Sequence, residues 1–439
     1  MSFEKYISEN DVLKAAREFL RSLSGVKSLM VAVSGGSDST GLLLAFHDVL
    51  QEPEFAQFSL RAATVDHQLR DESKTEALGV QALCSSLQIP HVIKTWDGAK
   101  PKSGLSAASR RVRYHLLVQA ASEFGADVIF LGHTMGDQLE TVKMRQMRCA
   151  DSDNIGLAGM AEAVLVNRVI WACRPFLSIN RQEIRDYLMS IGHGWFDDPS
   201  NDSDKYERVR VRKALGKEHF EFNDSASEAR AVLAEQAALW FETAVTMVTP
   251  FVACVKREMI VTQPNVARYA LSYLSAILGG KAFGLSSQQA ATLLEKAVSG
   301  VNTRFTANRC VFDFRKDRLF IYREARSLPT KVSSVNTPVL WDERLWLLPG
   351  EGEILDIAAL IGPSLPASIR KTMAATLPFE AGSRVDARIV PALRPFDDFL
   401  PSFDLPFAMV VNAAFGRNPY PALPIQRNSS PPVEKTERF

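Results

Sequence analysis

The sequence has few cysteines and no long apolar run, and each of these absences excludes a class of protein. Five cysteines among 439 residues lie scattered, with no CxxC pair and no cluster of His and Cys at metal-ligand spacing. This distribution argues against a disulfide scaffold, a zinc site or an iron–sulfur cluster, and it favours a reducing cytoplasm. No apolar stretch approaches the roughly 20 residues of a membrane span. The first ten residues, MSFEKYISEN, lack the apolar core of a signal peptide, so we expect a cytoplasmic protein without membrane association.

The chain also lacks a strong net charge. The formal net charge is +1, so any affinity for nucleic acid has to come from local basic clusters. Hydrophobic residues make up 46% of the chain and charged residues 23%, which is typical of a folded protein. Because 439 residues exceed the usual size of one domain, we expect two or three domains.

What is present, up to about residue 200, is a regular alternation of apolar strand patterns and helical patterns. The pattern predicts strands at 28–33, 59–65, 91–95 and 127–131, and helices at 39–50, 72–88, 104–124 and 135–147. This rhythm predicts an α/β fold with a doubly wound parallel sheet, in which ligands bind beyond the carboxyl ends of the strands. The segments that follow the strands are therefore the places to look for a site.

The segment after the first strand is SGGSDS, residues 34–39. A turn from strand to helix aims backbone N–H groups and the positive end of the helix dipole at one point, and glycines let a bulky anion approach. We interpret it as a phosphate cradle, although a Gly/Ser turn with Asp38 or Ser39 as helix N-cap is the alternative. The segment lacks the lysine of GxxxxGK[ST]. A carboxylate beside phosphates calls for a divalent cation between them, and Mg²⁺ suits oxygen ligands.

SGGxDS after a strand is similar to the signature of the PP-loop ATP pyrophosphatases, which cleave ATP between the α- and β-phosphates. Ser34, Gly35, Gly36, Ser37, Asp38 and Ser39 match it position by position. Further stretches resemble motifs of the tRNA(Ile)-lysidine synthase family, in the same order along the chain. They are GLSAASRRVRY (104–114), HTMGDQLET (133–141), GLAGM (156–160), RPF (174–176) and WFDDPSNDSDKYERVRVR (195–212).

The resemblance implies an activity and its substrates. Members of this family use ATP to adenylate C2 of the wobble cytidine of a tRNA(Ile) with a CAU anticodon, and free L-lysine then displaces AMP. The product, lysidine, pairs with A rather than G. The implied cofactors are ATP and Mg²⁺, and the implied partners are that tRNA and lysine. A homodimer is left open.

The resemblance also implies roles for particular residues. Asp38, Asp137 and Glu140 would be catalytic, and Asp38 and Asp137 would hold the metal ion. ATP would contact residues 34–39 together with Arg113 and His133. His67 is a further expected ATP contact, because it follows the second strand at the edge of the sheet where ligands bind. The basic run that includes Lys205, Arg208 and Arg212 would contact the tRNA backbone, as arginines and lysines commonly do.

The residues themselves leave alternatives open. Asp137 and Glu140, three apart at a helix start, could hold Mg²⁺ or the lysine substrate, or could simply compensate the helix dipole. Gly136 stands where the family has the first of two adjacent aspartates. Another PP-loop tRNA-modifying enzyme, an enzyme that adenylates a small molecule, and a non-catalytic RNA-binding relative are the competing hypotheses. The lack of CxxC argues against tRNA thiolation.

Composition along the chain predicts four segments. Residues 1–217 would form the PP-loop ATP-binding catalytic domain. Residues 218–330 contain long helical patterns and predict a helical domain, which the resemblance to the family's layout implies would position the tRNA. Residues 331–420 predict a small α+β domain, and 421–439, rich in Pro, Ser and charge, predict a disordered tail. In addition, RCVFDFRKDRLFIYRE (309–324) predicts a hairpin and VLWDERLWLLP (339–349) a strand.

Overall fold

The computed structural model describes residues 10–70, 72–101, 103–148, 155–197, 207–215 and 225–426. These residues belong to two compact units. The first unit takes the described parts of 1–150, 156–224 and 421–439, and the second takes residue 155 and 225–420. In the described part of the chain, no helix is both long enough and apolar enough to span a bilayer.

The first unit is built from strands and helices that alternate up to residue 148. Its strands are β1 (Ser28–Ala32), β2 (Ser59–Asp66), β3 (His91–Thr95), β4 (Val128–Leu131), β5 (Ala163–Val166) and β6 (Ile170–Cys173). Its helices are α1 (Asp11–Ser22), α2 (Ser37–Val49), α3 (Glu72–Ser86), α4 (Leu105–Phe124), α5 (Met135–Arg148), α6 (Arg181–Ser190) and α7 (Glu207–Leu215). The predicted elements agree with these bounds to within two residues.

The six strands of this unit form one sheet in the order β5-β6-β4-β1-β2-β3. β1 pairs in parallel with β2 on one side and with β4 on the other, whereas β5 is antiparallel to β6. The chain therefore reverses its direction of progress across the sheet next to β1, which is the switch point where such folds bind ligands. The predicted doubly wound parallel sheet is confirmed, with an added antiparallel edge strand.

Two glycines allow close packing around the turn that follows β1. A Cβ on Gly132, just after β4, would lie 2.8 Å from the main-chain oxygen of Asp38, so only glycine fits there. A Cβ on Gly41 in α2 would lie 2.3 Å from Cγ2 of Ile184 in α6. Both contacts draw neighbouring segments against the first turn of α2.

The second unit combines helices with two antiparallel sheets. Its strands are β7 (Val245–Thr249), β8 (Val252–Lys256), β9 (Thr303–Ala307), β10 (Cys310–Arg315), β11 (Arg318–Arg323), β12 (Val339–Trp341), β13 (Leu345–Asp356), β14 (Arg384–Pro391) and β15 (Phe399–Pro401). Its helices are α8 (Ser225–Ala244), α9 (Arg257–Thr262), α10 (Pro264–Gly279), α11 (Ser287–Val298), α12 (Ala367–Thr376), α13 (Arg394–Asp397) and α14 (Leu405–Ala414). One sheet runs β7-β8-β11-β10-β9 and the other β12-β13-β14.

The middle segment is less helical than the sequence predicts. Five antiparallel strands lie within 245–323, including the hairpin of β10 and β11 that was predicted at 309–324. One apolar cluster joins Phe251 and Tyr322 with Trp341, Leu347 and Ile369, so a hydrophobic core crosses the predicted boundary at 330/331. Short buried strands between long helices are easily hidden in sequence because an apolar run of five residues fits either structure.

The predicted tail also begins later than expected. Residues 421–426 run beside the end of α1, where Leu23 and Ile425 form an antiparallel bridge. The main-chain N–H of Ser24 donates to the oxygen of Pro424 at 2.8 Å. Trp171 donates its indole N–H to the oxygen of Pro421 at 3.1 Å. These pairings replace the disorder predicted from composition for 421–426; the remaining tail lies outside the described residues.

Candidate active site

The SGGSDS turn lies at the carboxyl end of β1 and leads directly into α2. Gly36 is the N-cap of α2, and Gly35 has a φ of 88°, a left-handed conformation that favours glycine. The Ser39 hydroxyl donates to the Gly36 oxygen at 3.2 Å and accepts the Ser34 N–H at 3.0 Å. Ser34 and Ser39, both predicted ATP contacts, thus also close the turn. The first turn of α2 offers its N–H groups and dipole to an anion.

Asp38 is held by an arginine that the sequence analysis missed. Arg181 donates its Nε–H to both carboxylate oxygens, at 3.1 and 3.0 Å, and its Nη2–H to Oδ2 at 2.7 Å. Ser37 adds a hydroxyl bond to Oδ1 at 3.0 Å. Arg181 is the first residue of α6, where the helix dipole disfavours a cation, so its placement there is the signal that could have revealed it.

Asp137 lies in the first turn of α5, after β4. Its Oδ2 accepts the Thr134 main-chain N–H at 3.0 Å and the Thr134 hydroxyl at 3.2 Å. Burial raises the pKa of Asp137, but His133, the Thr134 N–H and the charges of Arg208 and Arg181 lower it by more. The pKa of Asp137 therefore lies below its usual value, and the carboxylate is ionised near neutral pH.

Glu140 contacts two of the arginines that the sequence assigns to tRNA. Its side chain is only 3% exposed, and Arg212 donates to Oε1 at 2.5 Å while Arg208 lies 3.7 Å from Oε2. Arg208 and Arg212 are four residues apart on α7, so both face α5. A buried carboxylate needs a cationic partner, which explains why these partly exposed arginines reach Glu140. Lys205 lies outside the described residues.

Two histidines near this edge are held in the neutral form. Burial and the neighbouring charge of Arg174 place the pKa of His133 well below its usual value, and Arg174 donates to its Nδ1 at 3.2 Å. Burial, followed by the charge of Arg113, lowers the pKa of His67 to about 4. Among the described residues, neither ring nitrogen of His67 has a hydrogen-bond partner. An unpartnered buried imidazole is a candidate ligand contact.

The site is rich in guanidinium groups. Arg113 is exposed, and its charge reaches His67. Arg181 interacts electrostatically with all three predicted catalytic residues, Asp38, Asp137 and Glu140. Arg181 therefore contacts Asp38 and lies within electrostatic reach of Asp137 and Glu140. Such an edge can bind a polyphosphate through its arginines and a cation through its carboxylates.

The carboxylates beside the turn are candidate ligands for a magnesium ion. Among the described residues, no group of three or more His, Cys, Asp and Glu side chains is arranged to hold a metal ion. Mg²⁺ in nucleotide enzymes, however, is commonly held by one or two carboxylates together with phosphate oxygens. Asp38 and Asp137 supply that donor set, provided that Asp38 exchanges Arg181 for the ion. The roles of the individual site residues stay predictions.

Gly136 departs from the motif for no steric reason. A Cβ at this position would lie 3.6 Å from the Thr134 hydroxyl oxygen, an ordinary contact distance. The φ of Gly136 lies outside the left-handed region, so its backbone conformation does not require glycine. An aspartate would therefore fit in this turn of α5.

Comparisons with known proteins agree with this geometry. A family model described as a PP-loop domain matches residues 8–219, so the first unit is a PP-loop domain. The tRNA(Ile)-lysidine synthase of Rhizobium meliloti (strain 1021) is 38% identical, over 94% of this chain and 97% of the relative. That of Mesorhizobium japonicum is 36% identical over 91% and 95%, and that of Brucella anthropi 35% identical over 89% and 94%. The chain belongs to the tRNA(Ile)-lysidine synthase family, as the motifs predicted.

Proposed function

We propose that this protein uses ATP to join free L-lysine to C2 of the wobble cytidine of a tRNA(Ile) with a CAU anticodon. The observation that carries the proposal is the ion pair of Asp38 with Arg181 in the SGGSDS turn, with Asp137 and Glu140 within electrostatic reach of the same arginine. Family membership supports the choice of substrates. The reaction would take place in the cytoplasm.

The proposed reaction has two steps. The C2 oxygen of the cytidine attacks the α-phosphorus of ATP, and pyrophosphate leaves. The ε-amine of lysine, after losing a proton, then attacks C2, and AMP leaves with the C2 oxygen. Adenylation thus turns a poor leaving group into a good one, and one ATP is consumed for each lysine joined.

The described residues suit these steps. The N–H groups of the turn and the first turn of α2 would bind phosphate oxygens, and Arg113 and Arg181 would neutralise their charge. Asp38 and Asp137 would hold Mg²⁺, which when bound neutralises the departing pyrophosphate. The unpartnered ring of His67 would contact the nucleotide.

Lysine has to meet a carboxylate, because its ammonium group is protonated near neutral pH. Glu140 is buried and already pairs with two cationic side chains, so it is suited to bind a third cation in their place. Asp137 is ionised and is the other candidate. Either one would orient the amine and accept its proton as the C–N bond forms.

The test is to incubate the purified protein with Mg²⁺, ATP, labelled lysine and a tRNA(Ile) transcript carrying CAU. Lysine should enter that tRNA at the wobble cytidine, with a matching mass increase. Omission of ATP and substitution of tRNA(Met) are the controls, and neither should give incorporation. Release of pyrophosphate without transfer of lysine would mean that the acceptor is wrong, and absence of both would refute the proposal.

A further inference from the structure

Phe196, a residue of the 195–212 stretch to which the motif resemblance assigns no role, lies directly on the SGGSDS turn. The main-chain N–H of Phe196 donates to the oxygen of Gly35 at 2.9 Å. A Cβ on Gly35 would lie 2.8 Å from Cδ2 of the Phe196 ring, so the ring touches the turn where its backbone is left-handed. The phenyl group therefore packs against Gly35, the residue of the turn whose left-handed backbone conformation favours glycine.

The other side of the ring rests on α3. A Cβ on Gly79 would lie 2.5 Å from Cζ of Phe196 and 2.8 Å from Cε2. Glycine costs about 1 kcal/mol relative to alanine in a helix interior. Because Gly79 has no side chain, α3 leaves a space at this position, and the Phe196 ring occupies it. Phe196 lies between two glycines, one in the turn and one in α3.

The segment that carries Phe196 is fixed to α6. The Trp195 indole N–H donates to Asp197 at 3.2 Å, and Arg185 donates to the same oxygen at 3.3 Å. The Arg185 guanidinium also lies 5.3 Å from the Trp195 ring centroid. The start of α6 carries Arg181, which holds Asp38. The stretch from 181 to 197 therefore holds the turn at two points, Asp38 and Gly35.

The ring is only partly enclosed. Phe196 is 40% exposed, and it borders a cavity of about 340 Å³ lined by Thr40, Val80, Leu83 and Trp195. A ring displaced from Gly35 has room to move into that cavity. Removing or displacing it would therefore free the Gly35 peptide without requiring the sheet to open.

We propose that Phe196 is a positioning residue for the phosphate cradle: its ring, seated on Gly79, fixes the peptide of Gly35 for phosphate binding. The inference rests on the proposed function in that the turn is taken to bind ATP. It predicts that the ring affects the use of ATP and leaves the use of lysine unchanged.

The test uses the full-length chain and measures KM for ATP, KM for lysine and kcat, with calorimetric binding of a non-hydrolysable ATP analogue. Phe196→Ala should raise both the KM for ATP and the Kd of the analogue about tenfold, because a turn that is no longer held in place has to be ordered when the nucleotide binds. The KM for lysine should not change. Phe196→Leu, which keeps a carbon on Gly35, should restore most of the affinity.

Gly79→Ala provides a second perturbation from the opposite side. The substitution favours the helix but pushes the ring, so it should weaken ATP binding while the melting temperature holds or rises. In the double variant with Phe196→Ala, the alanine at 79 should add no further loss, because the ring that it displaces is gone. Leu78→Ala, at an exposed neighbour on α3, is the matched control and should bind the analogue as the wild type does.

The outcomes separate the inference from the proposed function. Binding of the analogue by wild-type protein without transfer of lysine would refute the proposed function and leave this test intact. Wild-type affinity in Phe196→Ala would overturn the inference. So would an equal rise in the two KM values, or an additional loss in the double variant, because either would indicate general damage to the unit.

Discussion

The neutral state of His133 predicts a measurable loss of stability in acid. Its ring is half-buried and accepts a bond from Arg174 at Nδ1, so protonation would place two cations in contact. An unfolded histidine has a pKa near 6.5, and the folded value lies well below that. The unfolded state therefore binds more protons below pH 6.5. The stability due to this group is complete above pH 6.5 and is lost as the pH falls through that value.

The size of this stability loss depends only on the pKa of His133 in the unfolded state, as long as its pKa in the folded state lies well below 5. Each pH unit below 6.5 costs about 1.4 kcal/mol, so about 2 kcal/mol is lost at about pH 5. His133→Asn should keep an acceptor for Arg174 and remove the titration. The variant should therefore lose about 2 kcal/mol less than the wild type between about pH 7.5 and about pH 5.

An unfolding midpoint can rank variants against the wild type, but in a chain with two compact units it does not assign a pH-dependent free energy to the surroundings of His133. Native-state hydrogen exchange of the β4 amides reports the free energy of opening next to His133. His67 and His91, whose pKa values burial lowers to about 4, contribute equally in both proteins and cancel in the difference. His115→Asn, at an exposed position of α4, controls for the replacement itself. Equal losses in wild type and His133→Asn would refute the reasoning.

Three further substitutions test particular contacts by urea unfolding. Gly41→Ala would bring a methyl group within 2.3 Å of Ile184 Cγ2 and should cost about 1–3 kcal/mol, and Ile184→Ala should recover part of it. Arg212→Met leaves Glu140 with the longer ion pair to Arg208 and should lower the free energy of unfolding by about 1 kcal/mol, a modest loss because Arg212 is partly exposed. The same substitution should cost less in a protein that also carries Glu140→Gln. Gly136→Asp should stabilise α5 by about 0.5 kcal/mol, since it fits and places an acid in the first turn.

Each has an outcome that contradicts it. An unchanged midpoint in Gly41→Ala would mean that α2 and α6 pack less closely at this point than the structure has it. For Arg212→Met, a loss that persists in full beside Glu140→Gln would place the contribution outside the ion pair. A lower midpoint in Gly136→Asp would show that the turn requires glycine, and pyrophosphate release below wild type would show that this glycine serves the reaction.

Local sequence patterns were sufficient to predict the parallel sheet, the turn after β1 and the family. Strand and helix periodicity and the glycines of SGGSDS are properties of short windows, because they reflect local hydrogen bonding and local backbone freedom. The post-strand positions of His67, His133 and Asp137 follow from the same periodicity, since parallel strands end at one edge. Of the five strands between 245 and 323, the hairpin of β10 and β11 was predicted, whereas β7, β8 and β9 were not, because short runs of residues are ambiguous between helix and strand.

Which charged side chains pair with one another depends on tertiary packing. Arg181 binds Asp38 across 143 positions of sequence, and Arg212 binds Glu140 across 72. No local sequence pattern selects these partners. A buried carboxylate requires a cationic partner, and the packing of α6 and α7 determines which arginine lies beside it. For the same reason the sequence shows Phe196 only as one apolar residue in a polar stretch and gives no sign of its contact. Its contact with Gly35 exists only because α3 and the turn leave space on both sides of the ring.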